Sequence, residues 1–255
     1  MISLIVPVYN AGSWIEKCMA SIRAQTCKDV ELIVIEDKGT GAWNARNLGL
    51  EKATGKYVAF CDADDYLAPD AIEKLSGAMD GVDMVCGSFR KFGLFDAEVR
   101  HDNEVLGRED IAAYTMENLK SPMRSQMLSG CWAKLYKREL VGRFPALTTA
   151  EDMAFNFDCL RICKSVRFIP DIVYHNLKRT GSLSTTFDEK DKTGLFGVLE
   201  ALRYVKRFLK PFYTELEIED ALDASKAYHS MLYFSRIMQQ TGESPRDTLM
   251  RLYQC

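Results

Sequence analysis

Along the first third of the chain the spacing of apolar and polar positions switches repeatedly between a strand period and a helix period. Positions 2–8 form a β-branched run, as a strand buried on both faces carries. Asn10-Ala11-Gly12-Ser13 is a turn leading to a helix cap, and Trp14, Ile15, Cys18, Met19 and Ile22 follow at helical spacing. Residues 30–35 predict a second strand, closed by Glu36-Asp37, and Gly39-Thr40-Gly41 a loop. A helix is predicted over 43–53, ended by Gly55, and a third strand over 57–61, closed by Asp62-Ala63-Asp64-Asp65. Pro69 opens a helix predicted through 79, and 84–89 reads as a fourth strand.

Strands alternating with helices predict an α/β fold, a mostly parallel sheet with helices on both faces. Such sheets bind ligands outside the carboxyl ends of their strands. Three predicted strands end in polar groups, at Tyr9-Asn10, Glu36-Asp37 and the Asp62 cluster, so three strand ends converge on one rim. The middle is less regular: a helix over 109–119, a short strand or helix over 131–136, a helix start at 148–152 and a strand over 166–177. From about position 190 the pattern is helical, and no internal repeat is visible.

Lys plus Arg is 33 and Asp plus Glu 36, a net charge of −3, which argues against nucleic acid as the main partner. No apolar run reaches the length of a membrane span, and the opening residues, cut by Pro7, do not read as a secretion leader. Eight cysteines without a Cys-x-x-Cys pair, and three scattered histidines, predict no zinc site and fit a reducing cytoplasm. Cys159 and Cys163 share a helix face, where small buried thiols are expected.

Three carboxylates within four residues at 62–65 repel one another unless a cation or solvent relieves them. Hard oxygens at a strand end suit Mg²⁺ or Mn²⁺, which also hold substrate phosphates; the plainer reading is a solvated turn in which Asp65 caps the next helix. Glu36-Asp37 could bond a nucleobase or ribose, or simply end a strand. The 39–44 stretch has the placing of a dinucleotide fingerprint and admits an oxidoreductase reading, but Asn44 stands where the third glycine belongs. A phosphate loop over 49–56 fails on spacing and on Tyr57. Glu151-Asp152 could supply a general base, or merely sit favourably at a helix N-terminus. His175 reads as structural. Leu199, Leu202, Val205, Leu209 and Phe212 line one side of a helix that carries Arg203, Lys206, Arg207 and Lys210 elsewhere; it can lie on an anionic membrane or, the favoured reading, pack on the rest of the chain.

Taken in order, these segments resemble the family 2 glycosyltransferases. The likeness is carried by residues 3–10, 21–26 and 31–37, by Ala45-Arg46-Asn47-Leu48-Gly49-Leu50, and by 55–65. Ala133-Lys134-Leu135-Tyr136, Glu151-Asp152-Met153-Ala154-Phe155 and Gly181-Ser182-Leu183-Ser184 resemble the family's second half. The resemblance covers about residues 1–185 and implies a GT-A fold: a nucleotide-sugar half over 1–92, an acceptor half over 93–185, then a helical extension over 186–255. It implies a metal-dependent, inverting transfer from a nucleotide-sugar, a UDP-sugar, to a saccharide or lipid-linked saccharide. Polysaccharide biosynthesis is the expected setting, in the cytoplasm that the cysteines suggest; the last helices lie beyond the resemblance, and peripheral membrane contact through them stays the alternative to packing on the chain. Donor contacts are implied for Pro7, Tyr9 (stacking on the base), Asp37 (base or ribose), Arg46, Asp62, Ala63 and Asp64. Mn²⁺ or Mg²⁺ is implied on Asp62 and Asp64, and Asp152 is implied as general base. One departure is large: Asp37 and Ala45 are eight positions apart, where the family places a helix and a further strand. Glu36 also replaces the usual first Asp, and Lys38-Gly39 a Gly-Ser step, so Lys38 could reach a phosphate or the base. Either the sheet loses a strand and keeps its site, the expected outcome, or the base pocket is damaged and the protein is a non-catalytic binding or scaffold relative.

Overall fold

The computed structural model describes residues 1–92, 96–121, 130–147, 149–177, 192–242 and 244–247. Among them the chain runs β1 (Ile2–Val8), α1 (Trp14–Arg23), β2 (Val30–Glu36), α2 (Ala42–Lys52), β3 (Tyr57–Phe60), β4 (Tyr66–Leu67), α3 (Ala71–Gly77) and β5 (Met84–Phe92). It continues through β6 (Ala97–Val99), β7 (Glu104–Gly107), α4 (Arg108–Lys120), β8 (Lys134–Lys137), α5 (Glu151–Ile162) and β9 (Ser165–Leu177) to α6 (Lys192–Leu209) and α7 (Glu215–Thr241).

One sheet runs β2-β1-β3-β8-β5-β9-β4, with β6 on β5 and β7 on β9. Its β2-β1-β3 block is parallel, Ile2 standing opposite both Val30 and Tyr57, and so is the long β5–β9 ladder. Strand β8 lies antiparallel between β3 and β5, so one continuous sheet joins the first half of the chain to the rest. The open choice of strand or helix at 131–136 resolves to a turn over 131–133 followed by the strand β8 from Lys134, which fills the gap between β3 and β5. Strands β4, β6 and β7 are too short to carry a period, and the sequence did not announce them. Helix α3 is shorter at both ends than the stretch Pro69 predicted: the Pro69 carbonyl accepts from the Thr26 backbone N–H, and the Asp70 carboxylate turns to Lys74.

Alternation along β1 supplies both faces. Leu4 and Val6 pack with Cys18 and Ile22 of α1 and with Ile72 and Leu75 of α3. Ile5 joins Phe60, Ile111, Phe155, Leu202 and Ile218 on the other face. Helix α6 commits Leu202, Val205, Phe208 and Leu209 to that second core, and Ala201 is buried too, so its apolar stripe is spent on packing against the chain itself. No described helix is long and apolar enough to cross a membrane.

Helix α2 sits very close to β1: a Cβ on Gly49 would lie 2.4 Å from Ile5 Cγ2. Only glycine permits this approach, and it sets the depth of α2 and therefore of Arg46. Gly49→Val is expected to destabilise the fold by about 1–3 kcal/mol through overpacking, read as a lowered midpoint in urea unfolding.

Candidate functional site

Because β1, β2 and β3 are parallel neighbours, their carboxyl ends open on one rim and carry Tyr9, Asp37 and Asp62 to it, as the sequence predicted. Tyr9 is 49% exposed there, while Pro7 lies buried within β1 opposite Ile35 and so shapes the strand from inside. Ala63 and Asp64 follow Asp62 on a turn closed by the Asp65 N–H donating to the Asp62 carbonyl at 3.0 Å.

Asp37 has a task the sequence did not reveal. Its Oδ1 accepts from the backbone N–H groups of Gly39 (3.0 Å), Thr40 (2.8 Å) and Gly41 (3.2 Å) and from Thr40 Oγ1 (3.1 Å), while Gly41 N–H also reaches Oδ2 at 3.1 Å. Gly39 and Gly41 have φ of +92° and +103°, which let successive N–H groups converge on one anion. The carboxylate thus folds the short connection from β2 to α2. These N–H groups are taken, so they are not free to cradle a pyrophosphate, which counts against the dinucleotide reading.

That loop delivers Arg46. Its side chain is 4% exposed and lies over the Phe144 ring, 5.4 Å from the centroid. Nη2 donates to Asp62 Oδ1 at 2.8 Å and Nη1 to Glu151 Oε1 at 2.9 Å. Nη1 is also 2.9 Å from Asp152 Oδ1, within ion-pair range but off the hydrogen-bond axis, leaving that buried oxygen without a hydrogen-bond donor. Asp152 Oδ2 accepts from the Cys131 N–H at 3.3 Å. One guanidinium therefore gathers a β3-end carboxylate and the first two residues of α5. Sequence reasoning named Arg46, Asp62 and Asp152 and weighed Glu151 with Asp152 as a candidate base; Glu151 proves to share the same cation.

Burial dominates the electrostatics. It raises Glu151 to about 7, aided by Asp152 and opposed by Arg46. Burial also raises Asp152, against the pull of Arg46. Asp65 is pushed up to about 8 by burial and by Asp62, although the Leu177 N–H (2.7 Å), Tyr174 hydroxyl (2.7 Å) and Asn176 amide (2.9 Å) all donate to it. Asp65 therefore pins the acidic turn to β9; it is not the cap of the following helix that the plainer reading expected. The Tyr174 hydroxyl also accepts from the Asp62 N–H at 3.0 Å, a link with no signal in the sequence. His175 stacks on Tyr66, ring centroids 4.4 Å apart, in the structural role expected.

Among the described residues no group of three His, Cys, Asp or Glu forms a metal cage. The donor set still fits Mg²⁺ or Mn²⁺, which take one or two carboxylates and complete their shell with phosphate oxygens and water. Asp62 commits Oδ1 to Arg46, and among the described residues nothing donates to its Oδ2, which a cation could use. Residues 178–184, including Lys178, Arg179 and the Gly181-Ser182-Leu183-Ser184 segment, lie outside the described residues.

The family model described as Glycosyl transferase family 2 matches residues 3–42 and 37–143. Glycosyltransferase GlyA of Streptococcus pneumoniae is 30% identical over 224 residues, covering 74% of this chain and 32% of its own length. The uncharacterized glycosyltransferase EpsJ of Bacillus subtilis is 27% identical over 221 residues, covering 72% of this chain and 63% of its own. The chain thus spans between about a third and just under two thirds of these relatives. Among solved structures, S. aureus TarS 1–349 in complex with UDP-GlcNAc matches with a TM-score of 0.67 at 18% identity, over 88% of this chain and 71% of that one. The mannosyltransferase PcManGT from Pyrobaculum calidifontis, in complex with GDP-Man and Mn²⁺, matches at 0.54 and 18% identity, over 98% and 78%. At such identities the likeness is one of fold.

The raised carboxylates set the sign of a pH effect. Glu151 rises from an ordinary 4.5 to about 7 and Asp65 from 3.8 to about 8, so across these windows the folded state binds more protons than the unfolded chain. The stability they contribute is present at the acid end and lost as pH rises. Glu151→Gln is expected to flatten the fall in melting temperature between pH 4.5 and 7 in a calorimetric series; an unchanged slope would remove Glu151 as its source.

Proposed function

The chain belongs to glycosyl transferase family 2 and has the GT-A fold, and from that premise we propose that it transfers a sugar, with inversion, from a nucleotide-sugar, a UDP-sugar, to a hydroxyl of a saccharide or lipid-linked saccharide. The observation that carries this reading is the Arg46 bridge, which holds Asp62 and Asp152 around one buried cation. In the proposal residues 1–92 form the donor half, 93–185 the acceptor half and 186–255 the helical extension. Exposed Tyr9 stacks on the base, Arg46 and Ala63 border the diphosphate, and Asp62 and Asp64 would hold Mn²⁺ or Mg²⁺. A divalent cation bound there neutralises charge growing on the leaving diphosphate. Asp152 has an oxygen without a hydrogen-bond donor and takes the proton of the acceptor hydroxyl. The acceptor oxygen attacks the anomeric carbon from the face opposite the diphosphate, the new C–O bond forms as the sugar–phosphate bond breaks, and the electron pair leaves with the diphosphate. UDP-GlcNAc in TarS and GDP-Man with Mn²⁺ in PcManGT support a nucleotide-sugar on this fold and bring both nucleotides into the test. A cytoplasmic place in polysaccharide assembly belongs to the same proposal.

A second reading, a non-catalytic nucleotide-sugar binder, is favoured by one observation. The Asp37 carboxylate is taken up by its own loop, so the ribose or base contact implied for it is reduced to what Oδ2 can still accept.

Transfer and hydrolysis assays over a panel of UDP- and GDP-sugars with Mn²⁺ separate the two. The enzyme reading expects turnover with at least one donor; calorimetric UDP binding without turnover supports the binder. Asp152→Asn is expected to lower kcat by about 10²–10⁴ while donor affinity stays within a few-fold, and unchanged turnover excludes it as the base. Chelation by EDTA is expected to abolish turnover and added Mn²⁺ to restore it; turnover that persists in EDTA overturns the metal assignment.

A further inference from the structure

Lys134 opens β8 with its side chain buried, 4% exposed, and among the described residues it makes no ion pair. An ammonium buried without a counter-ion is costly, and such groups are concentrated at functional sites. Its Nζ reaches back to the turn before β8, donating to the Gly130 carbonyl at 2.6 Å and the Trp132 carbonyl at 3.3 Å. Two further buried side chains grip the same turn. Asn156 Nδ2 donates to the Gly130 carbonyl at 3.0 Å, and the Tyr136 hydroxyl contacts Asn156 Oδ1 at 2.6 Å and the Cys131 carbonyl at 3.3 Å. Ala133 completes the turn at φ +56°, a left-handed conformation that persists where its surroundings impose it.

The turn held this way touches both halves of the reaction centre. On one side the Cys131 N–H donates to Asp152 Oδ2. On the other, Trp132 stacks on Tyr174 with centroids 4.9 Å apart and planes 11° from parallel, and the Tyr174 hydroxyl contacts both the Asp62 N–H and the Asp65 carboxylate. We propose that Lys134 is a positioning residue for the transfer reaction: by holding the Gly130 and Trp132 carbonyls it fixes the turn that aligns Asp152 on one side and the Asp62 turn on the other. This rests on the reading of Asp152 as general base. A methionine would fill the same volume but leave the Trp132 carbonyl without its donor and remove a positive charge that interacts with Asp152. The other groups facing Asp152 are Arg46 from α2, Asp62 from the end of β3, its neighbour Glu151, the Cys131 thiol and the Tyr136 hydroxyl, and all of them remain in that variant.

The test compares Lys134→Met and Tyr136→Phe with the full wild-type chain, using the donor and acceptor identified in the panel above. Lys134→Met is expected to lower kcat about a hundredfold, with donor KM within twofold, and to move the acid limb of the kcat/KM profile up by about one pH unit. Carboxyl ¹³C titration of Asp152 and the ¹⁵N–¹H position of Cys131 report the same change without turnover, and both are expected to shift. A folded Lys134→Met protein with unchanged kcat and an unmoved Asp152 titration overturns the proposal, as does a variant that loses only melting temperature. If Lys134→Met does not fold, Tyr136→Phe decides: it loosens the same turn without touching the charge, and wild-type kcat with an unmoved Cys131 amide rejects the role. Should Asp152→Asn retain transfer, the base assignment fails by itself, while the Cys131 amide still reports whether Lys134 holds the turn.

Discussion

The structure turns on a single buried guanidinium. Arg46 reaches Asp62 at the end of β3 and both Glu151 and Asp152 at the start of α5, so the two halves of the site are tied through one planar, permanently charged group. A lysine could not do this, because a point charge has no fork to spread over carboxylates arriving from different elements. Three carboxylates around one cation leave the cluster with excess negative charge when all are ionised. Burial resists that excess, which is why Glu151 and Asp152 are displaced toward their protonated forms. A site poised in this way welcomes a further cation and can accept a proton, the two requirements of the proposed chemistry.

Around that centre, other groups act as scaffolding. Asp37 folds the loop that carries α2, Gly49 sets how deep the helix sits against Ile5, and Asp65 locks the acidic turn to β9. Of the acidic residues grouped at the strand ends, Asp37 and Asp65 are spent on architecture, and the proposed chemistry falls to Asp62 and Asp64 together with Asp152 from α5. Sequence position alone does not separate the two kinds, because Asp62 and Asp65 look alike until their hydrogen-bond partners are seen.

This explains what was legible beforehand. The strand–helix alternation and the rim where β1, β2 and β3 end follow from local periodicity, and periodicity survives in sequence. Arg46, Asp62 and Asp152 were named through an ordered set of motifs, and the fold brings all three together. The role of Tyr174 and the second carboxylate on Arg46 depend on residues far apart in the chain, and no local pattern encodes them; the grip of Lys134 is local, but its burial is set by the strands on either side of β8. Strands β4, β6 and β7 were missed for a related reason: two to four residues cannot display a period, and their pairing partners define them.

The short link between β2 and α2 leaves a mark of its own. Among the described residues β2 has a neighbour on one side only, and Leu32 and Val34 stand 41% and 46% exposed on it. Backbone donors and acceptors along that rim have no strand partner among the described residues, and the entropic penalty of lengthening a surface loop grows only slowly, about 0.6 kcal/mol per doubling. The sheet is therefore open-ended at this point: a further strand has room beside β2, and added chain entering within the loop would have to replace the Gly41–Asp37 bonds that now seat α2.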